Sequence, residues 1–277
     1  MAIEVFAPAK INLTLHVTGR REDGYHQLDS LVVFAGIGDR IAVAPAESAN
    51  LSVTGPMADG VPLDDNNIVL RAARQMGIAA DIQLEKFLPA AAGVGGGSSD
   101  AAATLRGLAQ VSGRAVPSDA ICLGADVPVC LANRASRMRG IGEWVEPVDG
   151  FPALDVVLVN PGAPVPTPMV FDHMSAPNNP PMPDSVPAFP DLGGCVEWLR
   201  AMRNDLEAPA IAVEPAIADV CETLDKTPGC MLTRLSGSGA TCFGIYADAE
   251  TAAAAAGRLH EAHPGWWVVA TRLNASS

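Results

Sequence analysis

Residues 89–99 read Pro-Ala-Ala-Ala-Gly-Val-Gly-Gly-Gly-Ser-Ser, and after Asp100 comes the Ala/Leu-rich stretch AAATLRGLAQ. A glycine run that ends in two serines at the start of a helix is a place for an anion. Glycines let backbone N–H groups approach a phosphate, and the helix N-terminus adds unpaired donors and a positive dipole end. No Gly-Lys-Ser/Thr follows, so the spacing is not that of a P-loop. Gly93 and Gly95 are followed at the third place by Ser98 rather than glycine, so it is not a Rossmann fingerprint either. Pro89, Ala90, Ala91, Ala92, Gly93, Val94, Gly95, Gly96, Gly97, Ser98 and Ser99 are therefore expected to bind phosphate by neither of the two commonest devices.

Three further segments carry chemically capable residues. Ala7–Leu13 sets Lys10 and Asn12 in an otherwise apolar strand pattern. Leu123–Pro128 places Asp126 in an apolar context between Gly124 and Pro128, and Arg234–Ala240 is a second turn of small residues. Each has an ordinary reading. A strand lysine can snorkel to solvent, an aspartate before a helix is often a cap, and Ser-Gly-Ser-Gly is often a plain turn. Tyr25-His26 after Asp23-Gly24 reads equally as a hairpin exit.

These segments need elements to position them. Up to residue 55, short runs (IEVFA, INLTLHVTG, LDSLVVFAGI, DRIAVAP, NLSVTG) alternate apolar and polar residues and read as five successive strands of a mostly antiparallel sheet. Asn66-Asn67 caps a helix over IVLRAARQMG that Gly77 ends, and the strand DIQLEKF leads into the glycine loop. Residues 124–148 read as short strands with turns at Asn133 and Gly140. Ten of the 23 prolines fall in 161–190, whose first part reads as a rigid crossing and whose second, 175–191, as an exposed loop. Helices near 193–225, strands at 230–235 and CFGIYA, a helix at 249–262 and a last strand WWVVATRL complete a small α/β sandwich.

Bulk properties limit the function. The 277 residues suffice for one large or two modest domains, and 49% are hydrophobic. Nothing near the N-terminus resembles a signal peptide and no apolar run reaches a membrane span, so a cytoplasmic protein is expected. The net charge of −13 argues against nucleic-acid or anionic-membrane partners, and obliges any phosphate site to be locally positive. The six cysteines show no Cys-x-x-Cys and read as reduced core thiols. No long apolar seam demands a partner copy, so a monomer or weak homodimer is expected.

Taken in order, Pro-x-Ala-Lys-Ile-Asn-Leu, Pro-x₃-Gly-x-Gly-Gly-Gly-Ser-Ser, Leu-Gly-Ala-Asp-Val-Pro and Leu-Ser-Gly-Ser-Gly-Ala resemble the GHMP small-molecule kinases. Further segments, Gly19–His26, Asp65-Asn66, Gly140–Glu143 and Pro164–Pro168, are similar to the member acting on the cytidine-diphosphate conjugate of methylerythritol in non-mevalonate isoprenoid synthesis. The resemblance covers nearly the whole chain. It implies an α+β, two-lobed GHMP kinase fold: an N-terminal lobe (1–153) like ribosomal protein S5 domain 2, carrying the ATP loop, and a C-terminal ferredoxin-like α/β sandwich lobe (154–277). It also implies ATP-dependent phosphorylation of the conjugate's 2-hydroxyl.

Phosphoryl transfer needs alignment and charge neutralisation more than covalent help. Asp126 would accept the proton of the attacking hydroxyl, while Lys10 would hold Asp126 ionised and polarise the same oxygen. A cytosine presents a flat face and a hydrogen-bonding edge, which suit Tyr25 and His26. By resemblance, Phe171 is a second ring at the base, Asn12 and Thr167 contact the erythritol or phosphate region, and Lys86 and Asn66 lie near the nucleotide. Mg²⁺ would arrive with ATP, its protein ligands left open because no acidic cluster marks a cage. Other readings are a homoserine- or mevalonate-type kinase of this family, or a nucleotide-binding regulatory module without turnover. Ala91 and Ala92 stand where the family usually has glycines, and alanine there is strained if φ is positive.

Overall fold

The computed structural model describes residues 2–275. Two long strands open the chain, β1 (Ile3–Arg20) and β2 (His26–Pro45), followed by a short β3 (Asn50–Thr54). The five expected strands are thus three. The Pro and Gly positions that read as breaks lie mid-strand, where backbones crowd: a Cβ on Gly38 would stand 2.2 Å from the Ala7 carbonyl oxygen. Helix α1 (Ile68–Met76) begins at Asn67, whose side chain accepts the Val69 N–H, and ends at Gly77 in the left-handed region (φ 61°). Strand β4 (Ala80–Glu85) leads to the glycine loop and helix α2 (Gly96–Ser112), which starts early enough to include both serines.

Beyond α2 a 3₁₀ turn at Ala120–Cys122 precedes α3 (Val127–Ala132). The sequence reading expected strands here. Pro128 is tolerated in the first helical turn, where no N–H is needed, and Asn133 stops the helix at φ 48°. Strands β5 (Ser136–Gly140), β6 (Trp144–Pro147) and β7 (Leu154–Asn160) follow. Then come α4 (Thr167–Asp172), α5 (Leu192–Arg200), α6 (Glu207–Val213) and α7 (Ala216–Asp225). Strands β8 (Leu232–Leu235) and β9 (Cys242–Tyr246), helix α8 (Ala249–Ala262) and strand β10 (Trp267–Leu273) complete the chain.

The contacts divide the chain into two compact units that interleave in sequence. The first comprises the chain up to Lys10, Ile37–Ala90 and Gly95–Asn133. In it the second half of β2 pairs antiparallel with β4 (Arg40↔Glu85 to Pro45↔Ala80), and β3 pairs parallel with β4. Helices α1 and α3 pack against α2, and Ile41, Val43, Ile82, Leu84, Leu105 and Leu108 form the buried interior.

The second unit comprises Ile11–Gly36, Ala91–Val94 and the chain from Arg134 on. The first half of β2 pairs with β5, and β5 with β6. An antiparallel sheet ordered β10-β7-β9-β8 carries α7 and α8, burying Val157, Val159, Ile217, Val220, Leu224 and Tyr246. That is the strand–turn–strand–helix–strand sandwich expected at the C-terminal end. Residues 175–191 form the expected, largely exposed loop, anchored at one buried residue. Met182 is buried and donates its N–H to Asp29 Oδ2 (2.9 Å), while Arg137 donates to the Pro183 and Asp184 carbonyls. A bidentate Asp29–Arg137 pair thus pins this segment to the unit.

Candidate active site

In the first unit, β1 carries Lys10 inward, 4% exposed, with its Nζ 2.9 Å from Asp126 Oδ2. Snorkelling to solvent is therefore excluded. Asp126 occupies the position before α3, yet among the described residues its side chain makes no capping hydrogen bond. The carboxylate turns to the lysine instead of to the helix, which removes the ordinary reading of this residue as a cap.

Beside this pair begins α2. Gly95 is its N-cap at φ 61°, and a Cβ there would meet Lys10 Cε at 2.9 Å and Lys10 Cβ at 3.1 Å, with Asp126 Oδ2 3.8 Å away. Only glycine lets the helix start come this close to the ion pair. No acidic residue occupies the first turn of α2, so its free N–H groups and positive dipole end are not neutralised there. Ser98 is partly exposed near Gly124, and Ser99 is buried. A chain of net charge −13 has gathered an ammonium and a helix N-terminus at one point.

The earlier part of the loop, Ala91–Val94, belongs to the second unit. The Ser236 hydroxyl donates to the Gly93 carbonyl (2.9 Å), and the Thr241 N–H donates to the Ala92 carbonyl (3.0 Å). A Cβ on Gly93 (φ 74°) would stand 2.3 Å from the Ser236 carbonyl oxygen. Of the two alanines at family glycine positions, Ala91 adopts φ 49° and Ala92 an ordinary conformation. Ala91 bears the strain, about 1 kcal/mol. Pro89 is partly exposed, Ala90 and Gly97 are exposed, and Val94 is buried.

Two residues expected near the nucleotide are engaged locally. Lys86 is 4% exposed, with its ammonium bonded to Asp39 and, at 2.8 Å, to Asp100 Oδ2. Asn66 lies in an exposed turn and bonds Asp64 through both its N–H and its amide.

In the second unit, Asn12 is buried, donating its N–H to Ser236 Oγ (3.2 Å) and its amide to Ser30 Oγ (2.7 Å). Thr167 Oγ1 lies 2.7 Å from Ser238 Oγ. The His26 and Phe171 rings stack at 4.6 Å and 12°. Burial, then the neighbouring Arg20, depresses the His26 pKa against the opposing pull of Asp172, so the ring is neutral near pH 7. Tyr25 is 59% exposed at the tip of the β1–β2 hairpin.

Sequence reasoning missed Ser236 and Ser238 as partners of Asn12 and Thr167, although their Ser-Gly-Ser-Gly turn stood out. It also missed Asp39 and Asp100. The signal for Asp100 was a carboxylate placed directly after the double serine.

Two family models match segments of the chain: GHMP kinases N terminal domain over residues 67–134 and GHMP kinases C terminal over residues 188–265. A 4-diphosphocytidyl-2-C-methyl-D-erythritol kinase of Cereibacter sphaeroides is 56% identical over 274 residues, 98% of this chain and 99% of the relative. The enzyme of that name from Paracoccus denitrificans is 54% identical, over 96% of this chain and 95% of the relative. A crystal structure of 4-(cytidine 5′-diphospho)-2C-methyl-D-erythritol kinase superposes with a TM-score of 0.79 at 34% identity, covering 99% of this chain and 100% of that one. Homoserine kinase from Cytophaga hutchinsonii shares the fold, with a TM-score of 0.66 at 17% identity over 98% of this chain and 94% of that one. The α+β architecture, both domain matches and the near-full-length identity agree: this chain belongs to the GHMP kinases.

Proposed function

We propose that this chain transfers the γ-phosphoryl group of ATP to the 2-hydroxyl of 4-diphosphocytidyl-2-C-methyl-D-erythritol, a step of non-mevalonate isoprenoid precursor biosynthesis. The observation that carries the chemistry is the Lys10–Asp126 pair at 2.9 Å, with the carboxylate not spent on capping α3. The substrate assignment is supported by relatives of that name at 50–56% identity over nearly the full length.

Asp126 accepts the proton of the attacking hydroxyl. Lys10 steadies that carboxylate and the oxygen as it becomes nucleophilic, and the main-chain N–H groups of the 89–99 loop take the charge of the transferring phosphates. Both are preorganised effects, costing no rearrangement at the moment of transfer. Mg²⁺ fits this donor set as an ion that brings most of its own ligands. It would keep waters and take phosphate oxygens, and when bound it would neutralise the phosphates' charge, leaving Asp126 to the proton. Among the described residues no group of three or more His, Cys, Asp or Glu side chains marks a cage for it.

The stacked His26 and Phe171 rings, with Tyr25 at the hairpin tip, offer the cytosine aromatic faces and a neutral imidazole. Asn12 and Thr167 serve the erythritol and phosphate region. The two family matches fall on either side of a lobe boundary at 153/154, although by contacts the units interleave and residues 134–153 go with the C-terminal part. Among the described residues no helix is long and apolar enough to cross a membrane, and the protein acts in the cytoplasm as a monomer or weak homodimer. ADP release measured with the cytidine conjugate, homoserine and mevalonate tests the assignment. Turnover on the conjugate alone is expected, and turnover on either simple alcohol but not on the conjugate overturns it.

A further inference from the structure

Asp39, Lys86 and Asp100 form a cluster in the first unit that the phosphoryl-transfer chemistry does not use. They are 0%, 4% and 3% exposed, and come from β2, the residue just after β4 and the first turns of α2. The Lys86 ammonium bonds Asp39 Oδ2 and Asp100 Oδ2. The other oxygen of Asp39 accepts the N–H groups of Phe87 (2.6 Å) and Leu88 (2.9 Å). The Lys86 backbone is itself held, donating its N–H to the Thr54 carbonyl at 2.7 Å and accepting from the Met57 N–H at 3.1 Å.

The placement of these bonds in the chain carries the inference. Residues 86–88 run directly into Pro89, and Asp100 directly follows Ser99, so the ionic bonds join the two ends of the 89–99 loop. At the exit, a Cβ on Gly96 would lie 3.6 Å from Lys86 Nζ and 3.7 Å from Leu88 Cβ, so the entry and exit are packed together. Burying three ionisable groups is costly, and such clusters seldom stabilise a fold better than apolar packing of equal volume would. What a directional cluster does supply is fixed geometry. A main-chain anion site depends on it, because each N–H must point at its phosphate oxygen.

We propose that Asp39, Lys86 and Asp100 are positioning residues, an ionic clip that sets the spacing between the entry and exit of the glycine loop and so determines its affinity for the nucleotide's phosphates. Lys86 acts by holding the loop rather than by reaching the nucleotide. The clip rests on the reading of this loop as the ATP site.

The test uses the full chain, with Mg·ATP binding by calorimetry in the absence of any alcohol, and steady-state kinetics with the cytidine conjugate. Lys86→Met is expected to weaken Mg·ATP binding and raise KM for ATP at least tenfold, with KM for the conjugate within twofold and kcat within threefold. If Lys86→Met does not fold, Asp100→Asn decides. It keeps the side-chain shape and one acceptor for Lys86, and is expected to raise KM for ATP three- to tenfold with the same split. Affinity for Mg·ATP within twofold of the parent in the folded variant overturns the clip, as does a loss confined to kcat. A parent chain that binds Mg·ATP but does not turn over the conjugate overturns the substrate assignment and leaves the clip standing. A parent that binds no Mg·ATP overturns both.

Discussion

Lys10 and Asp126, far apart in the sequence, form an ion pair of 2.9 Å in which the lysine side chain is 5% exposed and the aspartate 29%. The asymmetry matters: the ammonium is fixed and shielded, while the carboxylate retains an accessible face. A general base needs that face to reach a hydroxyl. Lys10→Met keeps the stem that packs in β1 and removes the charge. It is expected to lower kcat by about 10²–10³ while leaving KM for ATP within a few-fold, read by coupled ADP release.

The loop makes opposite predictions for two neighbouring positions. Ala91 sits at φ 49°, and Ala91→Gly relieves a strained conformation at the expense of a more flexible unfolded chain. A net gain of roughly 0.5 kcal/mol is expected, seen as a small rise in the urea midpoint. Gly93→Ala would drive a Cβ to 2.3 Å from a backbone oxygen at φ 74°, and is expected to cost about 3 kcal/mol and most ATP binding.

For the cytosine end, Phe171→Ala removes one ring of the stacked pair with His26. KM for the conjugate should rise about tenfold, as expected for loss of one base–aromatic contact, with KM for ATP unchanged. Burial and Arg20 depress the His26 pKa, so the ring stays neutral from neutral pH upward and charges only in acid. KM for the conjugate should accordingly be flat from about pH 7 to 8 and rise only below the usual imidazole value of about 6.5.

Asp100 has its own signature in stability. Burial, with Asp39 adding like charge and Lys86 opposing, raises its pKa to about 7. One lysine cannot neutralise two carboxylates in a dry site, so the cluster retains a proton, consistent with a Lys86 that stays charged. The nearby Cys130 thiol, pushed up by burial, remains neutral. Between about pH 4 and 7 the folded chain keeps a proton that the unfolded chain has released, so folding weakens as pH rises through that window. The thermal midpoint of the parent should fall relative to that of Asp100→Asn from pH 4.5 to 7, and hold a constant offset above about 7.5.

Several features were legible because a single residue announced them. Asn67 and Gly77 bracket α1 with a cap and a left-handed stop, and Lys10 and Asp126 are charges placed where apolar neighbours make charge expensive. What could not be read depends on crossings and pairings through space. Pro8 and Gly38 fall between the runs read as separate strands but lie within β1 and β2, where backbones approach. Val127–Ala132 is too short an apolar run for its period to separate helix from strand. The burial of Lys86 between Asp39 and Asp100 had no signal in the sequence, because the three residues meet only through the fold.

The most direct measurement is single-turnover transfer from ATP to the cytidine conjugate by Asp126→Asn at saturating substrates, with the folded state verified by thermal denaturation. A rate about 10³-fold below that of the parent, with both substrates still bound, is predicted for the loss of a proton acceptor. A folded Asp126→Asn that transfers phosphate within a few-fold of the parent rate would contradict the assignment of Asp126 as the base.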